Sequence, residues 1–125
     1  GDGMNHTTAT SPLYAAWPAT ASADLAALEA AIAARDFSAL GSVAEANALA
    51  MHATMLAARP ALCYLQPQTL ATLHRLWQAR ADGLEIYATI DAGPNVKILC
   101  RAADEAAVRV AFPQALWVNP FAVAA

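Results

Sequence analysis

The chain has 125 residues, a formal net charge of −3 and an apolar content of 58%, which suits one compact domain. Its seven Lys and Arg are scattered, which argues against a nucleic-acid footprint or a surface for anionic membranes. No apolar run approaches the ~18 residues of a membrane span, and no signal-peptide pattern opens the sequence, so a cytoplasmic location is expected.

Much of the apolar content is alanine, so the core must rest on fewer, larger side chains. Gly1 to Thr10 is polar, small and without a period. Ser11-Pro12 reads as an N-cap with proline at the first helical position, opening a short helix that Pro18 ends after Trp17. From Ser22, a candidate cap, to Ala34, Leu25, Leu28 and Ile32 recur at helical spacing. After the joint Arg35-Asp36 a second helix is expected over Phe37 to Ala58, its apolar faces drawn from Leu40, Val43, Ala44, Leu49, Met51, Met55 and Leu56. Gly41 weakens its start by up to ~1 kcal/mol relative to alanine. So short a joint implies an αα-hairpin.

Pro67 restarts a helix to about Ala81, with Leu70, Leu73, Leu76 and Trp77 as its stripe and Gly83 as a C-cap glycine. The period then changes. Glu85–Ile90 and Asn95–Cys100 read as two strands of a β-hairpin around Asp91-Ala92-Gly93-Pro94. A helix over Ala102–Ala111 and a strand at Leu116–Val118 follow, with a frayed tail after Phe121. The expected fold is α+β: an αα-hairpin followed by a βαββαβ sandwich of the ferredoxin-like kind without its first strand, one domain over residues 1–121 with a tail at 122–125. The missing strand is normally central, so unpaired edges are expected unless an upstream segment or another chain fills the gap.

Cys63 and Cys100 sit in apolar settings far apart and read as two reduced, buried thiols. Two cysteines and three histidines without zinc-site spacing give no reason to expect a metal. Three places could carry chemistry. Asp91 at a hairpin tip can reach a cleft, although Asp and Gly are also ordinary turn residues, and Lys97 can simply face solvent. Asn47, Met51, His52 and Met55 lie along one helix, a pattern equally met by core methionines beside a hydrogen-bonded histidine. Asp2-Gly3-Met4 means nothing by itself.

Taken together and in order, the pieces carry a resemblance. Gly3-Met4, Thr10-Ser11-Pro12 with Tyr14, Glu45-Ala46-Asn47-Ala48-Leu49, Met51-His52-Ala53-Thr54-Met55-Leu56, Tyr64, Gln66-Pro67, Tyr87-Ala88-Thr89 and Asp91 through Lys97 resemble the C-terminal domain of diphosphomevalonate decarboxylases, members of the GHMP kinase superfamily. The likeness runs from Gly3 to about Phe112; MHATMLAA and DAGPNVK are its specific parts, and the alanine-rich helices are not.

The resemblance implies an ATP-dependent enzyme of isoprenoid biosynthesis that phosphorylates the 3-hydroxyl of mevalonate 5-diphosphate and releases phosphate and CO2 to give isopentenyl diphosphate. It makes Asp91 the catalytic carboxylate, and Met4 and Ala92 substrate-binding positions. For His52 it supplies no role. The phosphate loop, the basic residues for the diphosphate and a substrate serine would lie upstream, the serine immediately before Gly1. ATP and Mg2+ would then be held mainly by an N-terminal GHMP kinase domain, and this chain alone would be inactive. A related GHMP kinase that does not decarboxylate is disfavoured by the DAGPN and MHAT pairing. The remaining alternative is a stand-alone ligand-binding or self-association domain, with a homodimer formed by strand addition at the open sheet edge.

Overall fold

The helix Phe37–Leu56 (α3) is the axis around which the other elements pack. It starts where Arg35 adopts a left-handed conformation (φ 53°) and Asp36 accepts a hydrogen bond from the Ala39 N–H at 3.0 Å, an N-cap that satisfies one orphan donor of the first turn. The computed structural model, which describes residues 1–121, places seven regular elements in chain order. Three helices, α1 (Asp2–Thr10), α2 (Trp17–Ala34) and α3, come first, with a 3₁₀ turn at Tyr14–Ala16 between α1 and α2. Then follow α4 (Pro67–Ala81), the strands β1 (Tyr87–Ile90) and β2 (Val96–Leu99), and α5 (Glu105–Ala111), which a second 3₁₀ turn introduces.

α2 and α3 form the expected αα-hairpin, and α3 lies against β1 with its other side. The inner face of α3 holds Gly41, Glu45, Ala48, His52 and Met55, all buried. Steps of four and three keep them on one side of a helix. A Cβ at Gly41 would run into the Tyr87 ring. The absent side chain therefore lets α3 approach β1, a packing role in place of the weakened helix start expected from propensity.

α4 begins at Pro67 with Gln66 as its N-cap residue and buries Thr69, Leu73 and Leu76. Asp82 ends it, and Gly83 at φ 110° turns the chain toward the sheet without a Cβ penalty. β1 and β2 pair antiparallel, Tyr87 opposite Leu99 and Ile90 opposite Val96. The core sits between hairpin and helices: Leu73, Leu76, Ile86, Ile90, Val108 and Phe112 are each at most 6% exposed. Full burial of a side chain of this size contributes roughly 1.5–3 kcal/mol.

The α+β class holds, with corrections. Gly1–Thr10 is helical. The hydroxyls of Thr7, Thr8 and Thr10 donate to the carbonyls of Gly3, Met4 and His6, so these polar groups are satisfied within the helix and no apolar period is needed. Ser11 caps the C-terminal end of α1 and opens no helix. Pro18 lies in the first turn of α2, where its missing N–H costs nothing, so the helix starts at Trp17 and not at Ser22. Leu25 and Ile32 point outward, 58% and 64% exposed, while Ala31 is buried.

Leu116–Val118 forms no strand; the sheet among the described residues is β1 and β2 alone. Its side chains alternate, Leu116 and Val118 exposed and Trp117 packed on the core. In a βαββαβ sheet its partner is the first strand, which the described residues do not include. Cys63 is exposed, not buried. Cys100 is half-buried, and burial, then the Asp104 and Glu105 carboxylates, push its thiol up. No helix among the described residues is long and apolar enough to cross a membrane. The tail at 122–125 lies outside the described residues.

Candidate active site

Asp91 leaves the sheet directly after Ile90, whose side chain is anchored in the core at 3% exposure. A buried strand thus ends on a carboxylate that is 66% exposed and whose side-chain hydrogen-bond partner among the described residues is Lys97, with Nζ 3.1 Å from Oδ2. The backbone of the same turn is held tightly. The Asp91 carbonyl accepts from the Gly93 N–H at 2.7 Å and from His52 Nε2 at 2.7 Å. The Pro94 carbonyl accepts from the Thr69 hydroxyl at 2.6 Å, and that hydroxyl in turn accepts from the Gln66 N–H at 3.0 Å. A side chain at Gly93 would sit 3.2 Å from Asp91 Oδ1, so glycine also keeps the carboxylate clear.

Ala92 is exposed beside Asp91, and Met4 is 43% exposed on α1. α1 packs on α3 and is pinned to the segment after it: His6 Nε2 meets the Pro60 carbonyl at 2.8 Å, and Thr10 Oγ1 accepts from the Arg59 N–H at 2.9 Å. α3 is therefore the element that relates Met4 to the Asp91 turn. No hydrogen bond or ion pair among the described residues joins Met4 to Asp91 or Ala92 directly.

A second carboxylate dominates the interior. Glu45 on α3 accepts from Arg80 Nη1 and Nη2 at 3.0 and 2.9 Å, from the Ala88 N–H at 2.8 Å and from Trp77 Nε1 at 3.2 Å. Burial alone would push its carboxyl up, but the Arg80 and Ala88 hydrogen bonds, the Arg80 charge and the Trp77 hydrogen bond together hold it below the usual carboxylate range. The Glu45 hydrogen bonds push the Arg80 guanidinium further up. Sequence reasoning missed this node and missed Thr69. Glu45 and Thr69 look like surface residues by polarity, whereas His52 fits the reading of a hydrogen-bonded histidine beside core methionines; the stripe Gly41, Glu45, Ala48, His52, Met55 marks the inward face of α3. Asn47 donates to Asp24 on α2 at 3.0 Å, a tie between the two helices of the αα-hairpin.

A cleft of ≈430 Å³ opens beside the node, lined by Ser42, Glu45, Ala46, Leu49, Arg80 and Tyr87. Within it Glu45 is paired with Arg80, and the Tyr87 hydroxyl donates to Ser38 at 3.2 Å. It includes none of Asp91, Ala92 and Met4. Among the described residues, no group of three His, Cys, Asp or Glu side chains could hold an ion. Arg80, Lys97, Arg101 and Arg109 are ion-paired, and Arg75 donates to the Ala111 carbonyl at 2.6 Å.

The family model described as mevalonate 5-diphosphate decarboxylase C-terminal domain matches residues 1–119. The chain belongs to this family. The solved structures agree. A mevalonate diphosphate decarboxylase from Enterococcus faecalis, described in terms of mevalonate diphosphate mediated ATP binding, is 39% identical over 92% of this chain and 36% of its own, with a TM-score of 0.86. A structure described as MDDEF in complex with MVAPP, AMPPCP and magnesium is 40% identical over 90% of this chain and 35% of its own, TM-score 0.87. The Staphylococcus aureus mevalonate diphosphate decarboxylase is 37% identical over 91% of this chain and 34% of its own, TM-score 0.84. The chain thus spans little more than a third of the length of these relatives. No curated protein sequence matches it. Family membership covers α1 to α5 and the DAGPN turn alike, so the turn and the helices that hold it belong to one shared fold.

Proposed function

We propose that these residues are the C-terminal part of an ATP-dependent diphosphomevalonate decarboxylase, converting mevalonate 5-diphosphate and ATP to isopentenyl diphosphate, ADP, phosphate and CO2. The observation that carries the reading is Asp91: an exposed carboxylate on a turn whose backbone is fixed, inside a family match that spans nearly the whole chain.

In this reading Asp91 handles the proton of the tertiary 3-hydroxyl. A hindered alcohol is a poor nucleophile, and a carboxylate within hydrogen-bond reach both orients it and accepts its proton as the new O–P bond forms. The phosphate then leaves with the C–O bonding pair. The bond from the substrate carboxylate to its carbon breaks, that pair becomes the new C=C bond, and CO2 departs. Met4 packs against the substrate and Ala92 lines it next to Asp91. The nucleotide and Mg2+ belong to an N-terminal GHMP kinase domain; of the seven basic side chains here, five are already engaged within this domain.

The test is ATP-dependent CO2 release from mevalonate 5-diphosphate by the full-length protein. Asp91→Asn keeps the shape and removes the charge, and kcat is expected to fall about 10²–10⁴-fold with little change in KM. A kcat equal to wild type removes Asp91 from this role. The 125 residues alone are expected to release no CO2. The open edge of β2 favours a second, non-catalytic reading, self-association by strand addition. A concentration-dependent sedimentation coefficient for the isolated domain, with a decarboxylation-dead full-length protein, would support it.

A further inference from the structure

The turn that carries Asp91 is gripped from two helices by buried polar side chains. His52 on α3 and Thr69 on α4 are each only 2% exposed. One reaches the Asp91 carbonyl at 2.7 Å and the other the Pro94 carbonyl at 2.6 Å. A carbonyl oxygen can only accept, so His52 Nε2 must carry the proton, which fixes the tautomer of a neutral ring. The Thr69 hydroxyl has its own direction fixed as well. It accepts from the Gln66 N–H at the start of α4, which leaves its proton for Pro94.

Burying two polar side chains is costly unless each is hydrogen-bonded. Both bonds here end on the same short turn, on either side of Ala92-Gly93. The carboxylate of Asp91 makes neither of them; it is left exposed with Lys97. Backbone held, side chain free, is the arrangement needed to aim a proton acceptor at a bound hydroxyl.

We propose that His52 and Thr69 are positioning residues for Asp91, a two-point clamp that sets where its carboxylate stands. This rests on the reading of Asp91 given above. The MHAT motif and the DAGPN motif are then one device: His52 is the part of the first that holds the second.

The experiment compares full-length wild type with His52→Ala, His52→Gln, Thr69→Val and Thr69→Ser, with Asp91→Asn as reference. It reads kcat and KM for mevalonate 5-diphosphate, Tm, and hydrogen exchange at the Gly93 amide, which bonds the Asp91 carbonyl. His52→Ala and Thr69→Val should each lower kcat at least about tenfold, with KM within about threefold, and speed exchange at Gly93. Thr69→Ser keeps the hydroxyl and should stay within about threefold of wild type. His52→Gln keeps an N–H donor and should recover part of the loss. Unchanged kcat in folded Thr69→Val or His52→Ala overturns the clamp, as does a kcat loss without faster Gly93 exchange. Should His52→Ala fail to fold, the Thr69 pair decides. A wild-type protein without CO2 release, or an Asp91→Asn of full activity, sinks the functional reading instead, and the exchange data still judge whether His52 and Thr69 hold the turn.

Discussion

Glu45 and Asp91 are two carboxylates in one small domain, each facing a basic side chain, and they differ in almost everything else. Glu45 has a side-chain exposure of 12% and accepts from four N–H groups of Arg80, Ala88 and Trp77. Asp91 has a side-chain exposure of 66% and, among the described residues, one ion-pair partner, Lys97. A carboxylate whose lone pairs are all taken has nothing left for a substrate; it ties α3, α4 and β1 together. A carboxylate held only through its backbone remains available. Hydrogen-bond saturation, more than charge or location, separates the structural acid from the candidate catalytic one.

The sharpest way to break that comparison is to make the same acid-to-amide change at both sites. Asp91→Asn should cost the full-length enzyme its kcat as stated above and leave Tm within about 1–2 °C, since an exposed pair contributes ~0–1 kcal/mol. Glu45→Gln should do the reverse. Loss of the charge facing a partly buried guanidinium, with an amide N–H brought against donors, should cost about 3 kcal/mol of stability, read by urea denaturation. The folded fraction should keep its kcat. A Glu45→Gln protein as stable as wild type would show that the node is not structural.

The sign of the Glu45 shift adds a pH test. Its folded-state pKa is depressed, so its contribution to stability is complete above the unfolded value of roughly 4.3 and is lost as pH falls through the lower folded value. Wild type should therefore lose more stability between about pH 5 and pH 3 than Glu45→Gln does. Parallel pH profiles for the two would contradict the depressed value.

Gly41 comes next in size. By helix propensity Gly41→Ala should add up to ~1 kcal/mol. The added Cβ would meet the Tyr87 ring, and overpacking of this kind typically costs 1–3 kcal/mol. A net loss is expected, read as a lower urea midpoint. A stabilised variant would mean that α3 and β1 part easily, and the Glu45 bond to the Ala88 N–H would then be less constrained than it looks.

These residues also show what was legible in the sequence. The hairpin, the αα-hairpin and α4 follow from turn chemistry and period, and the DAGPN turn stood out because Asp, Gly and Pro announce a turn. The inward face of α3 was hidden because its spacing is helical but its residues, Gly41, Glu45 and His52, are not the apolar ones that a period search counts. The same search pointed Leu25 and Ile32 inward, although the neighbour that α2 packs against accepts Ala31. Leu116–Val118 has the composition of a strand, but a strand is a pairing, and no single segment encodes its partner. α1 escaped because its threonines satisfy themselves on the helix backbone.

The smallest effect is also the most discriminating for the basic partners. Arg80→Met would leave the Glu45 carboxylate without its counter-charge in a mostly buried setting, at an expected cost of about 3 kcal/mol. Lys97→Met removes the other cation from a pair in which both side chains are more than half exposed, so Tm should move by less than about 1 kcal/mol equivalent. What remains of the Lys97–Asp91 attraction is electrostatic and open to salt. Raising ionic strength from about 0.05 to 0.5 M should therefore erase any difference in stability between Lys97→Met and wild type, while leaving the gap between Arg80→Met and wild type largely in place. If Lys97→Met instead destabilises as much as Arg80→Met and resists salt, then Asp91 is bound as firmly as Glu45. The distinction between a saturated acid and an available one would then fail at the residue on which the proposed function depends.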